Sequence, residues 1–200
     1  MAGSDDAAYW DELAATFDAQ PDHGLSAQGT REAWRECLER WLPAPPCAVV
    51  DLGCGTGSLA LLAAELGHRV TGIDFADAMV QRAQAKAERA GVHVRFVRGD
   101  ASRPPLLPGS TDVILVRHLL WALPVPADAL AYWVTLMAPG GSFVLVEGSW
   151  STGVGLRAEE VEALVEPHCE QVTVEQLADP FLWGGVVEDE RYVVRGAVRS

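Results

Sequence analysis

Lysine is almost missing from this chain. Lys86 is the only one in 200 residues, and 15 lysines and arginines face 28 carboxylates, for a net charge of −13. A protein that follows a phosphate backbone needs clustered cations, and so does one that sits on an anionic bilayer. Neither a nucleic-acid nor a membrane partner is expected. The four cysteines (Cys37, Cys47, Cys54 and Cys169) include no Cys-x-x-Cys pair, so no zinc site, redox dithiol or other metal site is indicated. No apolar run is long enough to span a bilayer, and the first residues lack the basic region and apolar core of a secretory signal. A cytoplasmic location is the expectation. No internal repeat or low-complexity tract is found. What remains is 49% hydrophobic and 22% charged residues, a composition suited to one domain with a sizeable core.

The centre of the sequence is Val49-Val50-Asp51-Leu52-Gly53-Cys54-Gly55-Thr56-Gly57-Ser58. An apolar, β-branched run predicts a strand buried on both faces. Three glycines at alternate positions then let the backbone approach a ligand with no Cβ in the way. Ser58 is the expected N-cap of a helix over Leu59 to Leu66 that stops at Gly67. Strand, glycine turn and helix form the mononucleotide-binding unit of doubly wound α/β folds. A dinucleotide loop would carry glycine where Ser58 stands. Asp51 would repel a pyrophosphate and suit a cationic amine or sulfonium.

The string Asp51-Leu52-Gly53-Cys54-Gly55-Thr56-Gly57 resembles the first motif of class I S-adenosylmethionine-dependent methyltransferases, of the small-molecule, ubiquinone- and menaquinone-biosynthesis type. Further segments agree with the resemblance. Arg69 to Asp74 predicts a second strand ending in a carboxylate, 23 residues beyond Asp51, close to the spacing at which an acid meets ribose hydroxyls. The helix Ala78 to Ala90 and the strand Val94 to Arg98 follow, then Gly99-Asp100-Ala101. The strand Asp112 to Val116 leads into Arg117 and His118. Ala127 to Met137 is a helix, Pro139-Gly140-Gly141 a turn, and Ser142 to Glu147 a strand.

The resemblance implies an α/β fold: a doubly wound, Rossmann-like, seven-stranded, mostly parallel sheet with a C-terminal antiparallel hairpin. It also implies S-adenosylmethionine as cofactor, S-adenosylhomocysteine as product and a small-molecule methyl acceptor. The cofactor contacts it implies are Tyr9, Asp51, Gly53, Cys54, Gly55, Gly57, Asp74, Phe75, Met79, Asp100, Ala101 and Arg117. Of these, Tyr9 would lie near the methionine part, Phe75 on the adenine face, and Asp100 and Ala101 at the adenine edge. His118 is the expected general base, because an imidazole titrates near neutral pH, and His23 is the reserve. Two other readings share these motifs: a catalytically inactive cofactor-binding scaffold, and an NAD-dependent oxidoreductase, which should have glycine at position 58 and no Asp51.

The flanks are less definite. Residues 1–6 are small and acidic and expected to fray. Tyr9, Trp10, Leu13, Ala14 and Phe17 predict a helix over Ala7 to Phe17, and a loop with His23 follows. A second helix, Arg31 to Trp41, sets Trp34, Cys37, Leu38 and Trp41 on one face. These aromatics either pack on the main domain or cover its site. Residues 1–45 are therefore read as a helical lid and 46–200 as the cofactor-binding domain. After Glu147 the expected order is a loop to Gly155, a helix Arg157 to Val165, a strand Glu170 to Glu175, a loop Asp179 to Gly185 and a last strand Arg191 to Val198. Nothing in the sequence sets an oligomeric state.

Overall fold

The computed structural model of the chain describes residues 4–199, with side chains from Ala8 onwards. The frayed start expected of residues 1–6 lies partly outside that range. Ser4 already belongs to the first helix, α1 (Ser4–Leu13). A 3-10 turn at Phe17–Ala19, a one-turn helix α2 (Pro21–Gly24) and the amphipathic α3 (Gln28–Trp41) complete the N-terminal region.

The sheet then begins. Strand β1 (Ala48–Leu52) runs through the glycine loop into α4 (Ser58–Glu65), and β2 (Arg69–Asp74) into α5 (Asp77–Ala90). Next come β3 (Val94–Arg98), β4 (Thr111–Arg117), α6 (Pro126–Leu136) and β5 (Met137–Ser149). The chain ends with α7 (Ala158–Val165), β6 (Cys169–Gln176), the one-turn α8 (Pro180–Trp183) and β7 (Glu190–Val198). The strand order is β3-β2-β1-β4-β5-β7-β6. All pairings are parallel except those of β7, which runs antiparallel to both β5 and β6. The order reverses between β1 and β4, the switch point beyond which open α/β sheets bind ligands.

Alternate residues of each strand serve two cores. Val49, Leu115, Val144 and Val193 pack with α3, α4 and α5. Val50, Ile114, Phe143 and Tyr192 pack with α6 and α7 on the other face. Buried on both faces, the central strands read as the continuous apolar runs seen in the sequence.

Three local expectations need correction. Gly57, with φ of +79°, caps α4, while Ser58 lies inside the helix and donates its hydroxyl to the His23 carbonyl at 2.7 Å. The Pro139-Gly140-Gly141 turn lies within the bounds of β5 as an irregularity. Met137 pairs with Thr111 and Ser142 with Val113, and residues 138–141 bulge between them. The loop at 179–185 winds into α8 because the Asp179 carboxylate accepts the Phe181 amide and Pro180 fits the first helical position. Among the described residues, no helix is long and apolar enough to cross a membrane.

Candidate active site

A cavity of about 510 Å³ opens beyond the carboxyl ends of β1, β2 and β4. Its floor is made by strand ends and the glycine loop. Asp51, on β1, is only 3% exposed, and burial raises its carboxyl to about 7 despite the nearby Arg117. Asp74, the last residue of β2, accepts the Gly55 amide through Oδ2 and the Ala76 amide through Oδ1, both at 2.9 Å. It therefore joins the glycine loop to the entry of α5. A carboxylate has about four lone-pair sites, so it can still accept from a ligand. Burial raises its pKa, opposed by those amides.

The loop glycines divide the work. A Cβ at Gly55 would sit 3.3 Å from the Phe17 ring, on the cavity side. At Gly57 it would sit 2.7 Å from Phe96, in the core beneath the loop. Gly57 thus serves packing of β3 against the loop, and Gly53 and Gly55 serve the cavity.

The roof is the chain from Tyr9 to His23. Trp10, Leu13 and Phe17 line the cavity from above, and Trp10, Ala14 and Phe17 pack with Ala76 and Met79 in a small third core. Polar contacts hold the roof down. Asp11 accepts the Ala78 amide at 2.8 Å, and Asp18 accepts the Thr56 hydroxyl and both pairs with and accepts from Lys86 at 3.1 Å. Arg117 donates to the carbonyls of Asp22 and His23. Phe17 stacks on His23 at 4.2 Å.

The far end of the cavity is aromatic. Trp121 and Trp150 line it, with ring centroids 6.1 Å apart. The His118 ring sits edge-on to Trp150 at 5.0 Å and stacked with Trp183 at 5.8 Å. Trp150 is braced from behind: the Arg191 guanidinium lies 4.8 Å from its ring and pairs with Asp189, which also accepts the Ser151 amide. His118 is one of two non-glycine residues with positive φ among the described residues, at 58°. Its Nε2 is buried without a hydrogen-bond partner. Burial holds its pKa well below the ordinary range, and the positive Arg117 and Arg191 add to the effect. The near-neutral titration expected of His118 as a general base is therefore not kept: burial holds the imidazole in its neutral form.

A methyltransferase-domain family profile matches residues 50–145, from β1 through β5. The demethylmenaquinone methyltransferase of Thermus thermophilus is 33% identical over 139 residues, 68% of this chain and 62% of the relative. The chain thus spans less than two thirds of that relative's length.

Residues 50–145 form a methyltransferase domain of the class I, S-adenosylmethionine-dependent kind.

Two solved structures share the fold at low identity. An N-methyltransferase of Haemonchus contortus, in complex with phosphomonomethylethanolamine and S-adenosylhomocysteine, superposes with a TM-score of 0.69. It is 17% identical, over 84% of this chain and 52% of that one. The cyclase SpnF superposes with a TM-score of 0.72 at 20% identity, over 84% of this chain and 80% of that one. The second shows that the fold alone does not carry methyl transfer.

The cofactor of this methyltransferase family is S-adenosylmethionine, and the cavity fits such a group. Its volume lies in the usual range for ligand sites. Buried Asp51 suits a cationic group and Asp74 suits a pair of hydroxyls, and Gly53 and Gly55 let the loop backbone lie against the space. Of the residues expected to hold the cofactor, Tyr9, Asp51, Gly53, Cys54, Gly55, Asp74, Phe75, Met79 and Arg117 line this cavity, as do His23 and His118. Tyr9 stands at the rim, 58% exposed. Gly57, Asp100 and Ala101 lie outside the lining. Asp100 is engaged in its own turn, accepting the Ser102 amide at 2.8 Å and hydroxyl at 2.7 Å, and the Ala101 carbonyl takes the Trp133 indole. Sequence reasoning named Trp10 and Phe17 only as part of a helical stripe that packs on the main domain or covers its site, and it passed over Trp150 and Glu147. Of these two, only Glu147 left a sequence signal: like Asp51 and Asp74, it is a carboxylate near the end of a buried strand.

Proposed function

We propose that this chain transfers a methyl group from S-adenosylmethionine to a small planar acceptor through an ionisable hydroxyl, bound at the aromatic end of the cavity. The observation that carries this reading is the continuity of one cavity from the Asp51–Asp74 floor to the Trp121–Trp150–His118 end. In it, Asp74 would accept the ribose hydroxyls, Phe75 and Met79 would pack on the adenine, and Asp51 would face the cationic end. The bound cofactor supplies a methyl carbon activated by the sulfonium, open to displacement in line by the acceptor atom.

The protein's own part is to align, to dry and to take a proton. Alignment inside a closed cavity can supply about 7–11 kcal/mol of the barrier. The neutral imidazole of His118 takes the acceptor's proton. Arg117 and Arg191, which disfavour the imidazolium, favour the oxyanion by the same field. That field also disfavours a cationic acceptor at this end. His23, stacked under Phe17, is the second proton acceptor within the cavity. Aromatic acceptors suit a wall of two indoles set edge to face, and the Thermus relative is named for demethylmenaquinone. Residues 1–45 do not act as one lid in this reading; the covering part is Tyr9 to His23.

Two measurements test it. Isothermal titration should show S-adenosylmethionine and S-adenosylhomocysteine binding while NAD does not. Asp74→Ala should cost about 1.5–3 kcal/mol of that affinity, as for a hydrogen bond to a charged group. Transfer of labelled methyl to a panel of phenols and naphthols should depend on His118, falling about 100-fold or more in His118→Gln. Cofactor binding without transfer to any acceptor would favour the scaffold reading, and NAD binding would overturn the cofactor site.

A further inference from the structure

Three consecutive backbone amides carry the chain out of β4 past His118, and all three are held by the end of β5. The His118 amide donates to the Val146 carbonyl at 2.9 Å. The Leu119 and Leu120 amides donate to one oxygen of Glu147, at 2.9 and 2.7 Å. Glu147 is fully buried, 0% exposed, and does not line the cavity. Its second oxygen, Oε2, has no partner.

A buried carboxylate is costly to keep, and an apolar side chain would fill the same space without that cost. Nothing in the sheet needs a charge here: β5 pairs normally with β7 through Glu147 and Tyr192. What the carboxylate does is collect the two amides that follow a residue in the left-handed region. A non-glycine residue is held there only where its surroundings over-determine it. His118 at φ 58° is such a residue, and the left-handed turn is what swings its ring between Trp150 and Trp183.

We propose that Glu147 is the positioning residue for His118: its carboxylate fixes the 118–120 turn and so sets the imidazole against the acceptor end of the cavity. This rests on the reading of His118 as the proton acceptor, but the placement can be tested without it. A ring packed beside two indoles has proton resonances displaced by their ring currents. In protein labelled at histidine, the His118 ring signal is identified by its loss in His118→Gln. It should remain displaced in Glu147→Gln, whose amide oxygen still accepts both backbone N–H groups. It should move towards the position of an exposed histidine in Glu147→Leu.

Cofactor affinity by titration should be the same in all three proteins within about twofold, because Glu147 does not itself line the cavity and holds only backbone amides of the turn after His118. Transfer to a phenol acceptor should fall about 30- to 100-fold in Glu147→Leu and recover in Glu147→Gln, with the loss in kcat and little change in the acceptor KM. A His118 resonance unmoved in Glu147→Leu overturns the proposal, and so does one moved equally in the leucine and glutamine variants. If Glu147→Leu does not fold, Glu147→Met carries the same comparison. In the unaltered protein, the Leu119 and Leu120 amides must also exchange slowly with solvent; free exchange rates overturn the proposal with no variant at all. A displaced ring that follows Glu147, together with transfer indifferent to His118→Gln, leaves the placement standing and removes the base.

Discussion

The two N-terminal segments look alike in sequence, each a short run of aromatics at helical spacing, yet the fold uses them in opposite ways. Helix α3 is part of the floor plan. Trp34 is fully buried, its indole donates to the Leu182 carbonyl at 2.8 Å, and it meets Trp41 and Trp183 edge-on. The roof from Tyr9 to His23 has only a small apolar cluster of its own and is held by Asp11, Asp18, Lys86, Ser58 and Arg117. The difference is one of currency. Apolar contacts hold α3 in a core that opens only on unfolding, whereas a few polar contacts hold a cover that can lift without disturbing the sheet. A cavity roofed in this way has to admit a cofactor, and the roof is the side held by the fewest apolar contacts.

Three substitutions sharpen or break that contrast. The largest effect should come from Trp34→Ala, which opens a void in the main core and leaves a carbonyl unpaired. A loss of about 3–5 kcal/mol is expected, read as a cooperative drop in denaturant midpoint. A loss under about 1 kcal/mol, within the range of a surface substitution, would mean that α3 is no more integral than the roof.

The floor offers the second test through Asp51. Its carboxyl is raised to about 7, so in the unliganded protein the acid is uncharged below that pH. The contribution of Asp51 to folding stability, read as the difference from Asp51→Asn, should be fully present below the unfolded carboxyl value, about 4, and should be lost as pH rises through about 7. Binding a cation favours the ionised form, so cofactor affinity runs the other way. It should weaken about tenfold from pH 8 to pH 6, and Asp51→Asn should bind with a flat profile. A parent profile as flat as that of the variant would mean that the cationic end does not lie over Asp51.

The smallest effect on stability should come from Lys86→Met. The pair with Asp18 is partly open to solvent, with side chains 16% and 33% exposed, and such pairs contribute about 1 kcal/mol or less. The melting temperature should fall by about 2–4 °C at most. Limited proteolysis between residues 9 and 24 should accelerate markedly, with no matching change in α3. Equal acceleration in both segments would abolish the distinction.

How much of this was legible depended on the range of the interactions. The strands Arg69–Asp74 and Val94–Arg98 were readable to the residue, because each is a short run rich in β-branched and aromatic residues that begins just after a glycine turn and stops at the next turn. The cavity floor was legible for the same reason, since Asp51, Asp74 and the glycines lie on adjacent strand ends. The aromatic stripe of the roof was legible too, but its fastening was not: Asp18 meets Lys86 across 68 positions, and no local pattern announces such a pairing. The bracing of Trp150 by Arg191 and of the His118 turn by Glu147 was hidden likewise. Asp100 shows the reverse. A glycine–aspartate pair after a strand has two physical uses, and here its carboxylate closes its own turn.

The position of Lys86 also makes the molecule its own reporter. Its ammonium, the only side-chain amine in the chain, lies beneath the roof against Asp18, Thr56 and Ser58. An amine-reactive dye added in brief pulses should react faster when those contacts part. Apart from the chain's terminal amine, a change in labelling rate reports a change in how the cover sits. Labelling rates with and without cofactor would then compare the cover in the two states, with no mutation and no engineered tag.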